Sequence, residues 1–337
     1  MTINVGIIGA TGHTGEELIG VLLKHPDVRI SRLYNTSDEP QKISDVFPQF
    51  KGRCELVCSK PDMKDIANHC DLVFLALPHT VSMNFAPKIL KLGKKVIDLS
   101  ADYRLRNIKV FEKFYHTKHK DVANLKNAVY GLPELYRASI RKAKLVANPG
   151  CYPTSGILAL APLVALGLID KDSIIIDAKS GVSGAGKKLE KGLLFLEVNE
   201  DFRAYKVNTH QHMPEINSIL TRLAGKSVSV IFVPHLLPLQ KGLLSTIYAR
   251  KSGRTQNLTN LYKKFYKLEP FVRIKGEGEF PRLKDVVGTN FCDIGIKEDA
   301  KSVIVISAID NLLKGASGQA VQNMNIMYKF PETTALL

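Results

Sequence analysis

Along roughly the first 150 residues, short continuous apolar runs alternate with segments that carry apolar residues at helical spacing. The runs are Ile3 to Ile8, Val28 to Tyr34, Asp71 to Leu77, Lys95 to Leu99 and Lys144 to Ala147. Runs of this kind read as strands buried on both faces. Between them, Glu16 to His25 and Ser82 to Leu92 read as helices. This alternation predicts an α/β fold with a Rossmann-type parallel sheet and ligands at the C-terminal ends of its strands. Beyond a long apolar helical segment, Gly156 to Leu168, the pattern changes. Ser173 to Lys179, Val228 to Val233, Leu243 to Arg250, Phe271 to Lys275, Phe291 to Ile296 and Val303 to Ile309 are closely spaced strands with fewer helices between them. They predict a second, α+β domain with a mixed sheet. Lys314 to Tyr328 reads as a closing helix.

Two stretches carry candidate chemistry. The first strand runs directly into Gly9-Ala10-Thr11-Gly12-His13-Thr14-Gly15 and then into a helix. A glycine-rich turn between strand and helix lets the backbone approach a pyrophosphate that the helix N-terminus faces. Gly9, Thr11, Gly12, His13, Thr14 and Gly15 are therefore candidate dinucleotide ligands. The second strand ends in Asn35-Thr36-Ser37, with Asp38 and Glu39 only later. No carboxylate stands where an NAD enzyme binds the ribose hydroxyl, which leans towards NADP with Ser37 nearby. The strand ends at Pro78-His79, at Ser100 to Arg104 and at Asn148 to Cys151 are expected to converge on one crevice.

The second stretch is Asn148-Pro149-Gly150-Cys151-Tyr152-Pro153-Thr154-Ser155. Pro149, Gly150 and Pro153 break the backbone between a strand and a helix, and Thr154 or Ser155 is expected to cap that helix. Cys151 then lies near a helix N-terminus, where the helix dipole favours the thiolate, the reactive form of cysteine. A buried structural cysteine is the bland reading of the same position. A nucleophile needs a partner base. Thr209-His210-Gln211-His212-Met213-Pro214 offers two histidines ahead of a helix that Pro214 can open and that runs to about Leu223, with His235 and His79 as rivals.

Composition narrows the class. The chain has 337 residues and a net charge of 47 − 32 = +15. The basic residues are spread along the chain, which suits a solvated surface, or attraction of small phosphorylated anions, better than a nucleic-acid patch. No apolar stretch reaches the length of a membrane span. Met1-Thr2-Ile3 runs into a strand, which predicts no targeting peptide and a cytoplasmic location. Five scattered cysteines predict reduced thiols. Cys54, Cys58, His69 and Cys70 match no common zinc spacing, so no metal site is expected.

The motifs together resemble the N-acetyl-γ-glutamyl-phosphate reductase family, which shares its fold and mechanism with aspartate-semialdehyde dehydrogenase. The matching stretches are Gly9 to Gly15, Leu77-Pro78-His79, Asp98 to Arg104, Val129 to Leu135, Asn148 to Thr154, Asp177 to Gly186, His210 to Ile216, Val233 to Leu236 and Asp310 to Gly315. They span nearly the whole chain. The resemblance implies that Cys151 attacks an acyl phosphate and releases phosphate, and that NADPH reduces the resulting thioester to a semialdehyde. It implies His210 as acid/base, with His212 second and Asn148 in support. Arg104 and Arg282 are candidates for the substrate's anionic groups. Pro78, Ser180, Gly181 and Asn311 join the glycine loop as cofactor candidates. A Ser-Arg pair that the family often places after the second strand is missing here. The expected division is 1–148 with 314–337 as the NAD(P) domain and 149–313 as the catalytic and oligomerisation domain of a homo-oligomer, a dimer or tetramer. A relative acting on a carrier-bound aminoadipate phosphate, a non-catalytic NAD(P)-binding protein and a nucleic-acid-binding protein are the rival readings.

Overall fold

The computed structural model describes residues 2–35, 39–187, 190–253 and 257–337. The chain forms two units: Met1–Gly150 with Ala316–Leu337, and Cys151–Gly315.

The first unit is built on an eight-stranded sheet. Its strands are β1 (Ile3–Ile8), β2 (Val28–Tyr34), β3 (Gln41–Lys42), β4 (Val57–Ser59), β5 (Leu72–Leu75), β6 (Lys95–Asp98), β7 (Val129–Tyr130) and β8 (Leu145–Ala147). Their order is β3-β4-β2-β1-β5-β6-β8-β7. All neighbours are parallel except β3, which lies antiparallel on β4 at the edge. The order turns at β1: the chain moves to β2 on one side and to β5 on the other. That turning point is where a doubly wound sheet opens a crevice at its C-terminal edge. β5 is apolar throughout, and β1 is apolar but for Asn4, because both faces are covered; Ile7, Ile8, Leu72, Val73, Phe74 and Leu75 are all fully buried. Helix α1 (His13–Leu22) follows β1 and turns Leu18, Ile19 and Leu22 inward. The helix Ser317–Tyr328 returns the chain's end to this unit and is buried from Ser317 to Met327.

The second unit begins with helix α2 (Cys151–Ala165), buried from Tyr152 to Val164. The helix starts five residues before the expected Gly156, so Thr154 and Ser155 are interior residues and not caps. Its sheet comprises β9 (Ile175–Gly181), β10 (Arg203–Ala204), β11 (Ile231–Leu237), β12 (Leu243–Arg250), β13 (Val272–Ile274), β14 (Cys292–Glu298) and β15 (Ser302–Ile309), in the order β10-β11-β9-β12-β15-β14-β13. Parallel pairs (β11 with β9, β13 with β14) are mixed with antiparallel ones. Helices α3 (Met213–Ala224) and α4 (Leu258–Phe265) also belong to this unit.

Two polar devices seat α2. The Ser155 hydroxyl donates to Ser245 Oγ on β12 at 2.9 Å and lies 2.6 Å from Ser307 Oγ on β15. All three serines are fully buried, and the Ser307 hydroxyl also donates to the Ser155 carbonyl at 3.1 Å, so the three hydroxyls are satisfied within the cluster and its helix. The second device answers a proline. Pro162 inside α2 has no N–H for the carbonyl of Leu158. That carbonyl instead accepts the Tyr266 hydroxyl at 2.6 Å, and the next carbonyl, of Ala159, accepts the Tyr262 hydroxyl at 2.5 Å. Replacing Tyr266 with Phe leaves a buried carbonyl without a donor, and urea unfolding should show a loss of about 1–3 kcal/mol; an unchanged midpoint would show that the proline's missing bond is met in another way.

Candidate active site

In the second unit the backbone breaks as expected and then starts a helix at once, so Cys151 is the first residue of α2. It therefore stands at the positive end of the helix dipole. Of the five cysteines, Cys54, Cys58, Cys70 and Cys292 are buried while Cys151 is partly open. A Cβ on Gly315 would lie 2.7 Å from Cys151 Cβ and 2.5 Å from the Asn311 carbonyl oxygen. Gly315 thus lets its strand of backbone pass directly against the cysteine. The sequence offered only one small residue in Asn311 to Gly315 as a signal for this role.

His210 sits beside the same helix end. Its ring is held by Tyr152 (centroids 5.4 Å apart, 84°), Tyr205 (5.5 Å, 77°) and Phe232 (5.6 Å, 79°), each edge-on, with the His212 ring at 4.8 Å. Tyr152 follows Cys151 in the first turn of α2, so the cage places the imidazole next to the cysteine's own turn. The backbone before α3 is pinned to β11: Tyr205 N–H donates to the Pro234 carbonyl at 3.0 Å, and the Asn208 side chain accepts from Phe232 N–H at 2.8 Å. His210 is 8% exposed. Hydroxyls complete the cluster: Tyr152 Oη is 3.1 Å from Tyr205 Oη, which is 3.5 Å from His210 Nε2. Burial pushes Tyr205 up to about 12, with Cys151 adding to the shift. Tyr152 is pushed higher still, again mainly by burial. Both stay neutral phenols at physiological pH. Tyr152 belongs to the motif around Cys151, but Tyr205 does not stand out in the sequence, because its part is set by pairing with β11 and not by local spacing.

The remaining candidates of this unit have local partners. Asn311 Oδ1 accepts from Gly242 N–H at 2.7 Å, and its Nδ2 donates to Ser183 Oγ at 3.0 Å. It ties two loops together. Ser180 is buried and its hydroxyl donates to the Gly181 carbonyl at 3.0 Å. A Cβ on Gly181 would stand 2.7 Å from the Leu239 carbonyl oxygen, so backbone packing within the unit already requires this glycine. Arg282 is a surface side chain, 75% exposed and paired with Asp285 at 3.0 Å. The pairing is with its own turn, whereas Ser180 also hydrogen-bonds the Tyr152 side chain beside Cys151. His235 lies on β11 with Nδ1 3.1 Å from Asp177 Oδ1.

In the first unit the glycine loop has the shape a pyrophosphate needs. Gly9 has φ +92°, and a Cβ there would stand 2.2 Å from the Ala76 carbonyl oxygen. Gly15 lies so close under the loop that a Cβ would be 2.5 Å from the carbonyl oxygens of Gly9 and Ala10. Gly12, by contrast, faces open space with only Gly9 O at 3.5 Å, and as N-cap of α1 it has no side-chain cap. The first N–H groups of α1 at His13 and Thr14 are thus offered to an anion, beside Thr11. Ser317 Oγ secures the loop by donating to the Thr14 carbonyl at 2.9 Å. At the end of β2, Asn35 is buried and its Oδ1 has no partner among the described residues. These features fit a bound dinucleotide, with the orphaned amide oxygen placed for a ribose hydroxyl. Ser37 lies outside the described residues. Pro78 is exposed just past β5. His79, also exposed, accepts from Ala101 N–H at 3.1 Å.

Arg104 and Asn148 are buried ties in this unit. Arg104 Nε donates to the Asn148 carbonyl and Nη2 to the Leu99 carbonyl, both at 2.7 Å. Asn148 Nδ2 donates to the Ala316 carbonyl at 3.0 Å, and its Oδ1 accepts from Asn323 Nδ2 at 3.0 Å. Both residues therefore hold the segment that leads into Cys151. Asp98 and Asp102 were missed as a pair. Asp102 accepts Thr80 N–H at 2.6 Å and Met83 N–H at 2.9 Å, and so holds Thr80 at φ +72°. Ser100 Oγ donates to Asp98 Oδ2 at 2.9 Å.

A sheet that opens at its turning point over a glycine loop, together with a separate mixed-sheet unit that presents a helix-end cysteine and a caged histidine, is the build of a nucleotide-dependent oxidoreductase. Known proteins agree. The model "Semialdehyde dehydrogenase, NAD binding domain" matches residues 4–143, and "Semialdehyde dehydrogenase, dimerisation domain" matches 151–311. The chain belongs to the semialdehyde dehydrogenase family. It is 50% identical over 340 residues, covering 100% of the chain and 98% of the relative, to N-acetyl-gamma-glutamyl-phosphate reductase of Pelotomaculum thermopropionicum. It is 48% identical over 342 residues, with the same coverage, to the reductase of that name from Symbiobacterium thermophilum. Among solved structures it is similar to aspartate semialdehyde dehydrogenase with NADP from Candida albicans, with a TM-score of 0.73, 16% identity, and coverage of 97% of this chain and 99% of that one.

Two outcomes are expected from this geometry. Iodoacetamide should label Cys151 ahead of the four buried cysteines, and Gly315→Ala should slow that labelling by about tenfold through displacement of the thiol; equal rates would mean the contact does not position it. The second concerns Asp98, which burial and then Asp102 push from 3.8 up to about 7. A carboxyl raised on folding contributes stability below its unfolded value and loses it as the pH rises through the folded one. Urea unfolding should therefore show stability falling from about pH 4 towards pH 7, and Asp98→Asn should flatten the fall; a rise over that range would contradict the assignment.

Proposed function

We propose that this chain is an NADPH-dependent reductase that converts N-acetyl-γ-glutamyl phosphate to N-acetylglutamate 5-semialdehyde and phosphate, a step of arginine biosynthesis in the cytoplasm. The observation that carries the reading is Cys151 at the start of α2 with caged His210 beside it, in a chain half identical along its whole length to reductases of that name.

Cys151 is the nucleophile. Its sulfur bonds to the acyl carbon, the carbonyl oxygen takes up charge, and collapse of the adduct expels phosphate and leaves a thioester. Thiolate attack thereby divides one difficult reduction into two easier steps. The bound cofactor supplies the hydride. The thiohemiacetal on Cys151 then collapses to the aldehyde and returns the thiolate. Charge develops on the same oxygen in both halves, and the N–H groups that open α2 are suited to receive it. His210 is the imidazole of the site, with His212 beside it.

Gly9, Thr11, Gly12, His13, Thr14 and Gly15 are proposed to hold the pyrophosphate, and Asn35 a ribose hydroxyl, with Ser37 and Pro78 nearby. An amide in place of a carboxylate after β2 leaves room for a 2′-phosphate, and the Candida albicans neighbour, which carries NADP, supports the same choice. Ser180, Gly181 and Asn311 are the proposed cofactor residues of the second unit. Asn148 and Arg104 act by holding the segment before Cys151, and Arg104 remains the proposed anchor for a substrate anion. Arg282, paired at the surface, has weaker support in that role. A homo-oligomer is proposed to form on the open face of the second unit's sheet, opposite α2, where Ile175, Ile231 and Tyr248 are exposed. The matching model is itself described as a dimerisation domain.

The test runs the reaction in reverse, with N-acetylglutamate semialdehyde, phosphate and NADP, followed by absorbance of the reduced nicotinamide. Wild type should form NADPH only with phosphate present, and Cys151→Ala should lose at least about a thousandfold in rate. Turnover of a carrier-bound aldehyde alone would reassign the substrate. Activity of Cys151→Ala equal to wild type would refute the thioester route.

A further inference from the structure

The crevice assigned to the dinucleotide has two walls in the first unit. The strand order turns at β1, so the crevice opens between the segments that follow β1 and β5. One wall is the glycine loop. The other is the turn from Ala76 to Thr80. The two touch at their base: the Ala76 carbonyl oxygen lies only 2.2 Å from where a Cβ on Gly9 would stand, and Ala76 N–H donates to the Ile8 carbonyl at 2.8 Å. Beyond Ala76 the turn runs outward through exposed Pro78 and His79. The shape of this wall depends on what fixes its far end.

Thr80 closes the turn in an unfavourable backbone conformation, with φ at +72°. Among the described residues seven non-glycine positions have positive φ, and Thr80 alone of these has a branched Cβ. Contact between Cβ and the neighbouring carbonyl drives such a residue out of the left-handed region. A group outside the turn must hold it there.

Asp102 is that group. One oxygen of its carboxylate accepts Thr80 N–H at 2.6 Å and the other accepts Met83 N–H at 2.9 Å. The clamp therefore grips the chain on both sides of Val81 and Ser82. The aspartate is fully buried, and its own backbone is fixed. Its N–H donates to Ser100 Oγ at 3.2 Å, and its carbonyl lies 2.6 Å from His119 Nε2. Ser100 Oγ in turn donates to Asp98 Oδ2 at 2.9 Å, at the end of β6. A second brace runs beside the first. Ala101 N–H donates to His79 Nδ1 at 3.1 Å, and that ring packs edge-on against Tyr115 with 5.4 Å between centroids. The segment after β6 thus carries the turn after β5 at two successive residues, His79 and Thr80.

We propose that Asp102 is a positioning residue for the dinucleotide: by holding Thr80 in the left-handed region it keeps the Pro78-His79 turn in the shape that receives the cofactor. The proposal rests on the reading of the glycine loop as a dinucleotide site. Asp102 is buried behind the turn, so it acts through Thr80. Without the clamp the turn relaxes, and only the fraction of molecules that still holds the receiving shape takes up the cofactor. Apparent affinity falls by that fraction. At saturation all molecules hold the shape, and turnover is unchanged.

Fluorescence titration of the full-length protein with NADPH reads the affinity without turnover. Asp102→Asn keeps the size of the side chain but sets an amide donor against one of the two N–H groups. Its dissociation constant for NADPH should rise about tenfold. Glycine takes positive φ without help. Thr80→Gly added to Asp102→Asn should therefore recover most of the loss, which a general loosening of the fold would not allow. Thr80→Pro leaves the buried acid in place but fixes φ at about −65° and removes the N–H. It should weaken binding at least as much, and it decides the matter if Asp102→Asn does not fold. In the reverse assay Asp102→Asn should raise the KM for NADP about tenfold and keep kcat within about threefold of wild type. Wild-type affinity in Asp102→Asn or in Thr80→Pro, a double variant no better than Asp102→Asn, or a fall in kcat at unchanged KM would each overturn the proposal while the dinucleotide reading stands. A wild type that takes up no NADPH would overturn that reading and the proposal with it.

Discussion

The seating of α2 on the sheet of the second unit governs where the thiol stands. A helix buried from Tyr152 to Val164 has little freedom to slide. Ser155 fixes its height over β12 and β15 through two buried hydroxyls, Tyr266 takes up the Leu158 carbonyl that Pro162 releases, and Tyr262 bonds the next carbonyl, of Ala159. With the helix held at both places, its first turn is held too. Gly315 then allows backbone to close against Cys151 where any side chain would collide. Packing far from Cys151 thus sets the position of its sulfur.

Around that sulfur polar groups gather. The helix presents N–H groups at its start, and His210, Tyr205 and Tyr152 form one hydrogen-bonded cluster beside it. In the first unit the same economy of backbone appears at the glycine loop. Gly9 and Gly15 make the loop compact, while Gly12 leaves the start of α1 open to an anion. Each end of a helix that serves chemistry here lacks a side-chain cap or begins on the functional residue itself.

Much of this was legible from local pattern. The strand Val28–Tyr34 and the strand Leu243–Arg250 have the bounds that their apolar runs suggest, because burial on both faces or strict alternation leaves a signal in the residues themselves. Helix starts were less legible. α2 begins at Cys151 although prolines and a glycine crowd the turn, since Pro153 fits the first turn of a helix as well as it fits a break. The glycines from Ser180 to Gly186 read as room for a ligand, whereas Gly181 is required by the backbone of Leu239 and Gln240. A close approach between segments sixty residues apart leaves no local mark.

The amino-acid sequence by itself determined the alternation of elements, the glycine loop that follows β1, and the presence of a cysteine at a strand-to-helix turn. Those properties depend on the periodicity of neighbours and on the backbone limits of Gly and Pro, which act over a few residues. Only the tertiary structure decided that Tyr205 and Phe232 cage His210, that the His212 amide meets His210 Nδ1, that Gly315 lies against Cys151, and that Arg104 and Asn148 are ties before the cysteine. Each of these is a meeting of residues distant in sequence or a hydrogen bond whose direction depends on fold. Such contacts follow from how the sheets and helices pack, and chain spacing carries no record of them.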